Sequence, residues 1–297
     1  MGKILVTGAS GWLGKSSISY LLKNDFLDKN IIAAASTTKT ISLEDFGIFQ
    51  VEDFFDFETN DQIDGIIHLS FLTRDKLNDV SSLAYVDVNK KITTQAVNLV
   101  KRLKPNWVVN VSSGAVFDPK TKKIEENLDT NPYGFLKALE ERELNRATQE
   151  IGANLVIGRL WGASGSLMPL NRAYALSDFI YQALKNEKIL IQSNKQVFRR
   201  YVDSEIFMGV LIESALTGES CVLDSGGPIV EIGNLASIIA ESLDVKEIIR
   251  PEILGVEVDD YYPRTEQFEE AAIRFNLPIN SIQEQVTSTI MGHTRLI

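Results

Sequence analysis

Short uninterrupted apolar runs alternate with longer stretches whose apolar residues recur every three or four positions, and this rhythm fills the first half of the chain. The apolar start Lys3-Ile4-Leu5-Val6 and the runs Ile31 to Ala35, Ile66 to Leu69, Trp107 to Val111 and Leu155 to Leu160 predict buried strands. The periodic stretches Gly11 to Lys23, Ala84 to Lys104 and Tyr133 to Ile151 predict helices between them. Each crossover is long enough for a right-handed strand, helix, strand unit, so the pattern is that of an α/β protein with a doubly wound parallel sheet. After Arg159 the rhythm loosens around Gly162, Gly165 and Pro169. Two regions are therefore expected: residues 1–160, and a smaller C-terminal lobe, 161–297, partly interleaved with the first and closing over the carboxyl ends of the strands.

The first strand runs straight into chemistry. Thr7-Gly8-Ala9-Ser10-Gly11-Trp12-Leu13-Gly14 places three glycines three apart between a strand and a helix, the order a dinucleotide cradle requires. Gly8 permits the tight turn, Gly11 lets backbone N–H groups approach a pyrophosphate, and Gly14 lets helix and strand pack closely.

Composition narrows the partners. With 44% apolar and 24% charged residues the 297-residue chain is expected to be a globular enzyme, and its net charge of −10 opposes nucleic acid or an anionic membrane as a partner. The first apolar stretch is too short for a signal segment and no run approaches a membrane span, so a cytoplasmic location is expected. One cysteine, Cys221, and two histidines, His68 and His293, offer neither a disulfide nor a metal cluster. No metal is expected.

A second constellation lies downstream. Val111-Ser112-Ser113-Gly114-Ala115-Val116-Phe117 ends a predicted strand, and Tyr133-Gly134-Phe135-Leu136-Lys137 follows on a predicted helix. A spacing of four sets Tyr133 and Lys137 on one helix face. A tyrosine titrating near about 10 exchanges protons poorly at neutral pH, and a cation beneath it favours the phenolate. Ser113 can hold the same substrate oxygen during proton transfer.

Together these segments resemble the extended short-chain dehydrogenases/reductases of the NAD-dependent epimerase/dehydratase type, which work on nucleotide sugars and have a Rossmann-type fold. The resemblance is carried by the glycine motif, Asp56-Phe57, Ile66-Ile67-His68-Leu69-Ser70, Asp87-Val88-Asn89, Ser112 to Phe117, Tyr133 to Lys137, Arg159, Arg199-Arg200-Tyr201-Val202-Asp203 and Ser225-Gly226-Gly227. It implies that Ser113, Tyr133 and Lys137 are the catalytic triad, with Lys137 also binding the nicotinamide ribose. It further implies that Gly8, Ser10, Gly11, Trp12, Leu13 and Gly14 hold the cofactor, that Asp56 and Phe57 border its adenine, and that Leu69 and Ser70 pass beneath it. Arg199 matches the position that meets a substrate diphosphate, and the loops around Thr73, Phe117 and Ser164 to Ala175 shape the sugar pocket.

Departures from the family pattern sharpen this. No acidic residue follows the second strand; Ser36, Thr37 and Lys39 stand there instead, which favours NADP over NAD because a carboxylate would repel the 2′-phosphate. Gly114 and Ala115 replace the acidic pair of the sugar dehydratases, which disfavours dehydration and decarboxylation and leaves redox at a carbinol or ketone. Gly162 stands where many relatives have an asparagine that contacts substrate phosphate. The expected function is reduction of a 4-keto sugar nucleotide by NADPH, the alternatives being an epimerase with tightly held NAD and a non-catalytic dinucleotide sensor. His68 is expected to be a satisfied interior histidine, the run Glu140-Glu141-Arg142-Glu143 a solvated helix face, and Arg264 a diphosphate contact or a surface salt bridge. Trp161 lines the pocket or belongs to the core. A homodimer is expected through the two long helices, burying Val88, Ile92, Leu99, Leu139 and Leu144.

Overall fold

The computed structural model describes residues 2–43, 45–170, 174–186 and 188–294. The chain divides into two compact units, residues 1–160 with 208–223 and residues 161–207 with 224–297.

In the first unit the strands are β1 (Lys3–Thr7), β2 (Ile31–Ala35), β3 (Lys39–Leu43), β4 (Gly47–Asp53), β5 (Ile63–His68), β6 (Trp107–Ser113) and β7 (Asn154–Leu160). Its main helices are α1 (Trp12–Lys23), α2 (Ser82–Leu103) and α3 (Pro132–Ile151). The sheet runs Cys221–Asp224, β7, β6, β5, β1, β2, β4, β3. From β7 to β4 the pairs are parallel, whereas β3 folds back antiparallel on β4. Parallel pairing brings the carboxyl ends of β1, β5 and β6 to one edge of the sheet, and there the order of strands reverses direction from β1. This is the place where a doubly wound sheet opens a crevice.

Local chemistry fixes the helix that matters most. At the start of α3, Asn131 accepts the Gly134 amide at 3.0 Å and Pro132 takes the first helical position; at its end, Gly152 is left-handed at φ 74°. Tyr133 and Lys137 therefore occupy its first two turns. α2 begins on Ser81, whose hydroxyl accepts the Ala84 amide at 3.2 Å.

One core packs α2 and α3 against the sheet. Leu5, Ile66, Val108 and Leu155 from the strands meet Ile92 and Leu99 from α2, Leu144 and Ala147 from α3, and Phe54 and Phe57 after β4. This corrects the expected basis for a dimer. Of the five positions expected at a dimer seam, Ile92, Leu99 and Leu144 are buried in the protein's own core, Leu139 is half-buried and Val88 is 38% exposed.

The second unit holds a three-stranded sheet of Ile229–Glu231, Gln196–Arg200 and Val258–Asp259, two short strand pairs, and helices including Ala175–Asn186, Ile232–Leu243 and Ile282–Thr294. Buried Arg200 ties it together by donating to the carbonyls of Gly227 and Thr265 and pairing with Glu269. Among the described residues, no helix is long and apolar enough to cross a membrane.

Candidate active site

The glycine turn is built for close approach. Gly8 has φ +66°, and a Cβ there would lie 2.7 Å from the Leu69 carbonyl carbon and 2.8 Å from the Ser70 nitrogen. Gly14 packs as tightly, its Cβ position 2.4 Å from the Gly8 oxygen, whereas Gly11 is exposed and would meet only that oxygen at 3.3 Å. No side chain caps α1, and its first turn holds no acidic residue. Open space over Gly11 and first-turn amides without a side-chain acceptor, on a helix whose dipole favours negative charge, fit a dinucleotide pyrophosphate. Ser10, Trp12 and Leu13 surround this turn and are half-buried.

Further along the same edge, Ser36 and Thr37 follow β2 fully exposed. Lys39 is exposed too and opens β3, a strand beyond those the sequence pattern predicts. Its segment alternates too briefly to read as a strand until β4 pairs with it. The register sets Ala35 beside Asp53, so a carboxylate stands at this end of β2 after all, donated by the neighbouring strand; it accepts the Phe55 amide at 2.8 Å. Asp56 is exposed, whereas the Phe57 side chain is only 2% exposed and packs within the core. Leu69 and Ser70 run past Gly8, their amides donating to Thr7 Oγ1 at 3.2 and 3.4 Å.

Ser113 ends β6, its hydroxyl accepting the Ala115 amide at 3.2 Å. Lys137, one helical turn after Tyr133, is buried, and its Nζ donates to the Val111 carbonyl at 2.9 Å and to Glu140 Oε2 at 2.8 Å. The Phe71 ring covers the remaining side, its centroid 3.8 Å from Nζ, and meets the Tyr133 ring edge-on at 5.8 Å. The Tyr133 phenol is held above its ordinary value, chiefly by burial; Ser113 opposes the rise, Glu140 adds to it, and Arg74 and Asp75 act in opposite directions. The Lys137 ammonium, for its part, is answered by a carboxylate of its own, that of Glu140.

That carboxylate was misread. Glu140 and Glu141 are not a solvated face; Glu140 is wholly buried and Glu141 is 8% exposed. Glu141 grips Arg159 through two bonds of 2.9 and 2.7 Å, and the guanidinium lies over the Phe117 ring at 4.8 Å. Glu140 joins Lys137 to His68, whose Nε2 lies 3.3 Å from Oε1 and whose Nδ1 lies 2.8 Å from Thr7 Oγ1. His68 is thus a satisfied interior histidine, as its apolar strand suggested. A signal for Glu140 was present: 133, 137, 140, 144 and 147 form one helical stripe, and its last two members are core residues.

The remaining candidates are more dispersed. Thr73 is exposed and donates to Asp75 Oδ1 at 2.6 Å just before the 3-10 segment Arg74–Asn78. In the second unit, Arg199 borders a cavity of about 390 Å³ with Trp161, Tyr174 and Asp259. Its guanidinium is bound by both Asp259 oxygens at 2.8 Å, so it is not the uncompensated positive charge expected for a diphosphate. Trp161 donates to Asp224 at 2.7 Å and packs on Tyr261, and Gly162 is pressed against the Arg200 carbonyl, 2.4 Å from a would-be Cβ. Arg264 is exposed and pairs with Asp260. Of the Ser164 to Ala175 segment, residues 171–173 lie outside the described residues.

A family model described as the NAD dependent epimerase/dehydratase family matches residues 4–205, well over half of the chain. The chain belongs to that family. UDP-glucuronic acid decarboxylase 6 of Arabidopsis thaliana is 23% identical over 268 residues, covering 84% of this chain and 75% of the plant protein. UDP-glucose 4-epimerase of Mycoplasma pneumoniae is 26% identical over 183 residues, 56% of this chain and 54% of that enzyme. The crystal structure of a UDP-glucose 4-epimerase from Thermotoga maritima with UDP-glucose superimposes with a TM-score of 0.80 at 17% identity, covering 99% of both chains. For this family member, that likeness concerns the fold alone.

Proposed function

We propose that this epimerase/dehydratase family member is an oxidoreductase that moves a hydride between a nicotinamide cofactor and a nucleotide-linked sugar, in the direction of reducing a 4-keto sugar with NADPH. The observation that carries the reading is that one sheet edge supports both a pyrophosphate cradle, Gly8 to Gly14, and a proton-handling group, Ser113 with Tyr133 and Lys137. The cofactor supplies the hydride. Tyr133 donates a proton to the keto oxygen, Ser113 hydrogen-bonds that oxygen as negative charge develops, and Lys137 contributes a cation at the ribose side. Ser36, Thr37 and Lys39 are the proposed 2′-phosphate contacts, all three exposed after β2.

Elimination and decarboxylation are less well served, because Gly114 and Ala115 carry no titratable group. Glu125, linked to Ala115 through the Asn131 amide, already accepts the Asn127 amide at 2.9 Å and Asn131 Nδ2 at 3.1 Å. A second reading, an epimerase that oxidises and re-reduces one carbon on tightly held NAD, is supported by the relatives named UDP-glucose 4-epimerase.

One experiment separates the two. The purified protein is denatured, any released dinucleotide is identified, and fresh protein is offered a UDP-4-keto sugar with NADPH and UDP-glucose without added cofactor. Consumption of NADPH that disappears in Tyr133→Phe supports the reductase. Retained NAD with interconversion of UDP-glucose and its 4-epimer supports the epimerase. Absence of hydride transfer in both assays defeats the oxidoreductase reading.

A further inference from the structure

The buried carboxylate on α3 has no counterpart in the reasoning that assigns Ser113, Tyr133 and Lys137. It lies at the centre of an unbroken chain of hydrogen bonds: Lys137 Nζ to Glu140 Oε2 at 2.8 Å, Glu140 Oε1 to His68 Nε2 at 3.3 Å, and His68 Nδ1 to Thr7 Oγ1 at 2.8 Å. Every member is buried. Thr7 Oγ1 already accepts the Leu69 and Ser70 amides, so its own proton is assigned to His68 Nδ1; the ring proton then sits on Nε2 and is donated to Glu140. The chain thereby begins at the residue before the Gly8 turn and ends on the ammonium of the residue one helical turn after Tyr133.

We infer that Glu140 is a positioning residue: braced by His68 and Thr7, it fixes where the Lys137 ammonium stands and how much of its charge reaches Tyr133. This rests on the proposed role of Lys137. The geometry leaves the ammonium little freedom, since Val111 and Glu140 take two of its three protons and Phe71 covers the third side. A carboxylate fully removed from water and satisfied on both oxygens holds one place, unlike a surface partner that samples many. Around Glu140 the facing charged or titratable groups are Lys137 on its own helix and His68 from β5; around Tyr133 they are Glu140, Arg74 and Asp75, with Tyr85 of α2 also within electrostatic range. Burial alone would raise the Glu140 carboxyl, yet Lys137 and His68 hold it below its ordinary value, so it is an anion at neutral pH, and its charge adds to the rise of the Tyr133 phenol.

The test uses the full-length protein and two readouts that need no sugar substrate: NADH affinity by fluorescence titration, and the Tyr133 titration, taken as the tyrosinate absorbance difference between each protein and its Tyr133→Phe counterpart. Glu140→Gln is expected to weaken NADH binding about tenfold, about 1.4 kcal/mol, and to let Tyr133 titrate at lower pH, because a like charge has gone. A role limited to stability would lower the melting temperature and leave the Tyr133 titration in place. Should Glu140→Gln not fold, Glu140→Asp keeps the charge and withdraws the carboxylate by one methylene: NADH binding weakens while the Tyr133 titration stays as in wild type. Lys137→Met distinguishes the layers. If it leaves NADH affinity and the tyrosine unchanged, both the role of Lys137 and this inference fall. If it alters them while the folded Glu140 variant behaves as wild type, this inference alone falls.

Discussion

Phe71 lies where it obstructs the lysine it accompanies, and this can be measured. Its ring is 3.8 Å from the Lys137 ammonium and edge-on to Tyr133 at 5.8 Å and 79°. A ribose hydroxyl that reaches Nζ must come through this side, since Val111 and Glu140 hold the others. The ring is half-buried, so its contact with the cation is worth about 0.5–2 kcal/mol and the aromatic pair about 0.5–1.5 kcal/mol. Displacing it forfeits part of both, about 1–2 kcal/mol in all. Phe71→Leu keeps an apolar side chain while removing these contacts, so NADH should bind roughly 5- to 30-fold more tightly. The folded protein should lose about the same 1–2 kcal/mol in urea unfolding, because the free form gives up what the complex no longer has to break. Titration of NADH fluorescence on wild type and Phe71→Leu, with Lys137→Met as the control lacking the cation, decides it. Equal or weaker NADH binding by Phe71→Leu would refute the idea that the ring guards the ammonium.

Other expectations concern the same unit. Tyr133→Phe should lower turnover ~10²–10⁴-fold with NADH affinity nearly unchanged, because only the exchangeable proton is lost; normal turnover on the true substrate is the contrary result. Ser36→Asp should weaken NADPH binding tenfold or more while leaving NADH binding equal or better, since a hydrogen bond to a charged group is worth roughly 1.5–3 kcal/mol; a wild type that already prefers NADH contradicts it. Glu140 has a depressed folded value, so its contribution to stability is full above its unfolded value of 4.5 and is lost as pH falls through the lower folded one. Urea midpoints measured across that acid range should therefore fall less steeply in Glu140→Gln than in wild type, and parallel curves would contradict the assignment.

Much of the first unit was legible because its information is local. Buried strands such as Trp107–Ser113 are continuous apolar runs, α3 announces itself through Asn131, Pro132 and Gly152, and Gly8 and Gly14 are required by backbone approach distances that no other residue tolerates. What escaped depends on partners far away in sequence. The hairpin β3–β4 lies at the end of the sheet and is largely exposed, with an alternation too short to stand out, and the proximity of Asp53 to the end of β2 follows from register rather than spacing. Arg199 could be placed by resemblance, but its neutralisation by Asp259, 60 residues on, could not.

Glu140 belongs to a different kind of omission. A run of four charged residues on a helix is ordinarily a wet face, and composition alone argues for that reading. Helical phase argues the opposite, because residue 140 repeats the positions of Tyr133 and Lys137 and precedes Leu144 on the buried stripe. Where the two conflict, phase decides: a charge on the buried stripe must either find a partner or prevent folding, since an isolated buried ion is too costly to persist. Lys137 needs a counterion for the same reason, and the two charges three residues apart satisfy one another before any ligand arrives. The lysine at this site is therefore half of an ion pair, and its influence on the tyrosine is what remains after Glu140 has acted. Chemistry inferred from the spacing of Tyr133 and Lys137 alone overstates that influence, and the residue that limits it is set by the next turn of the same helix.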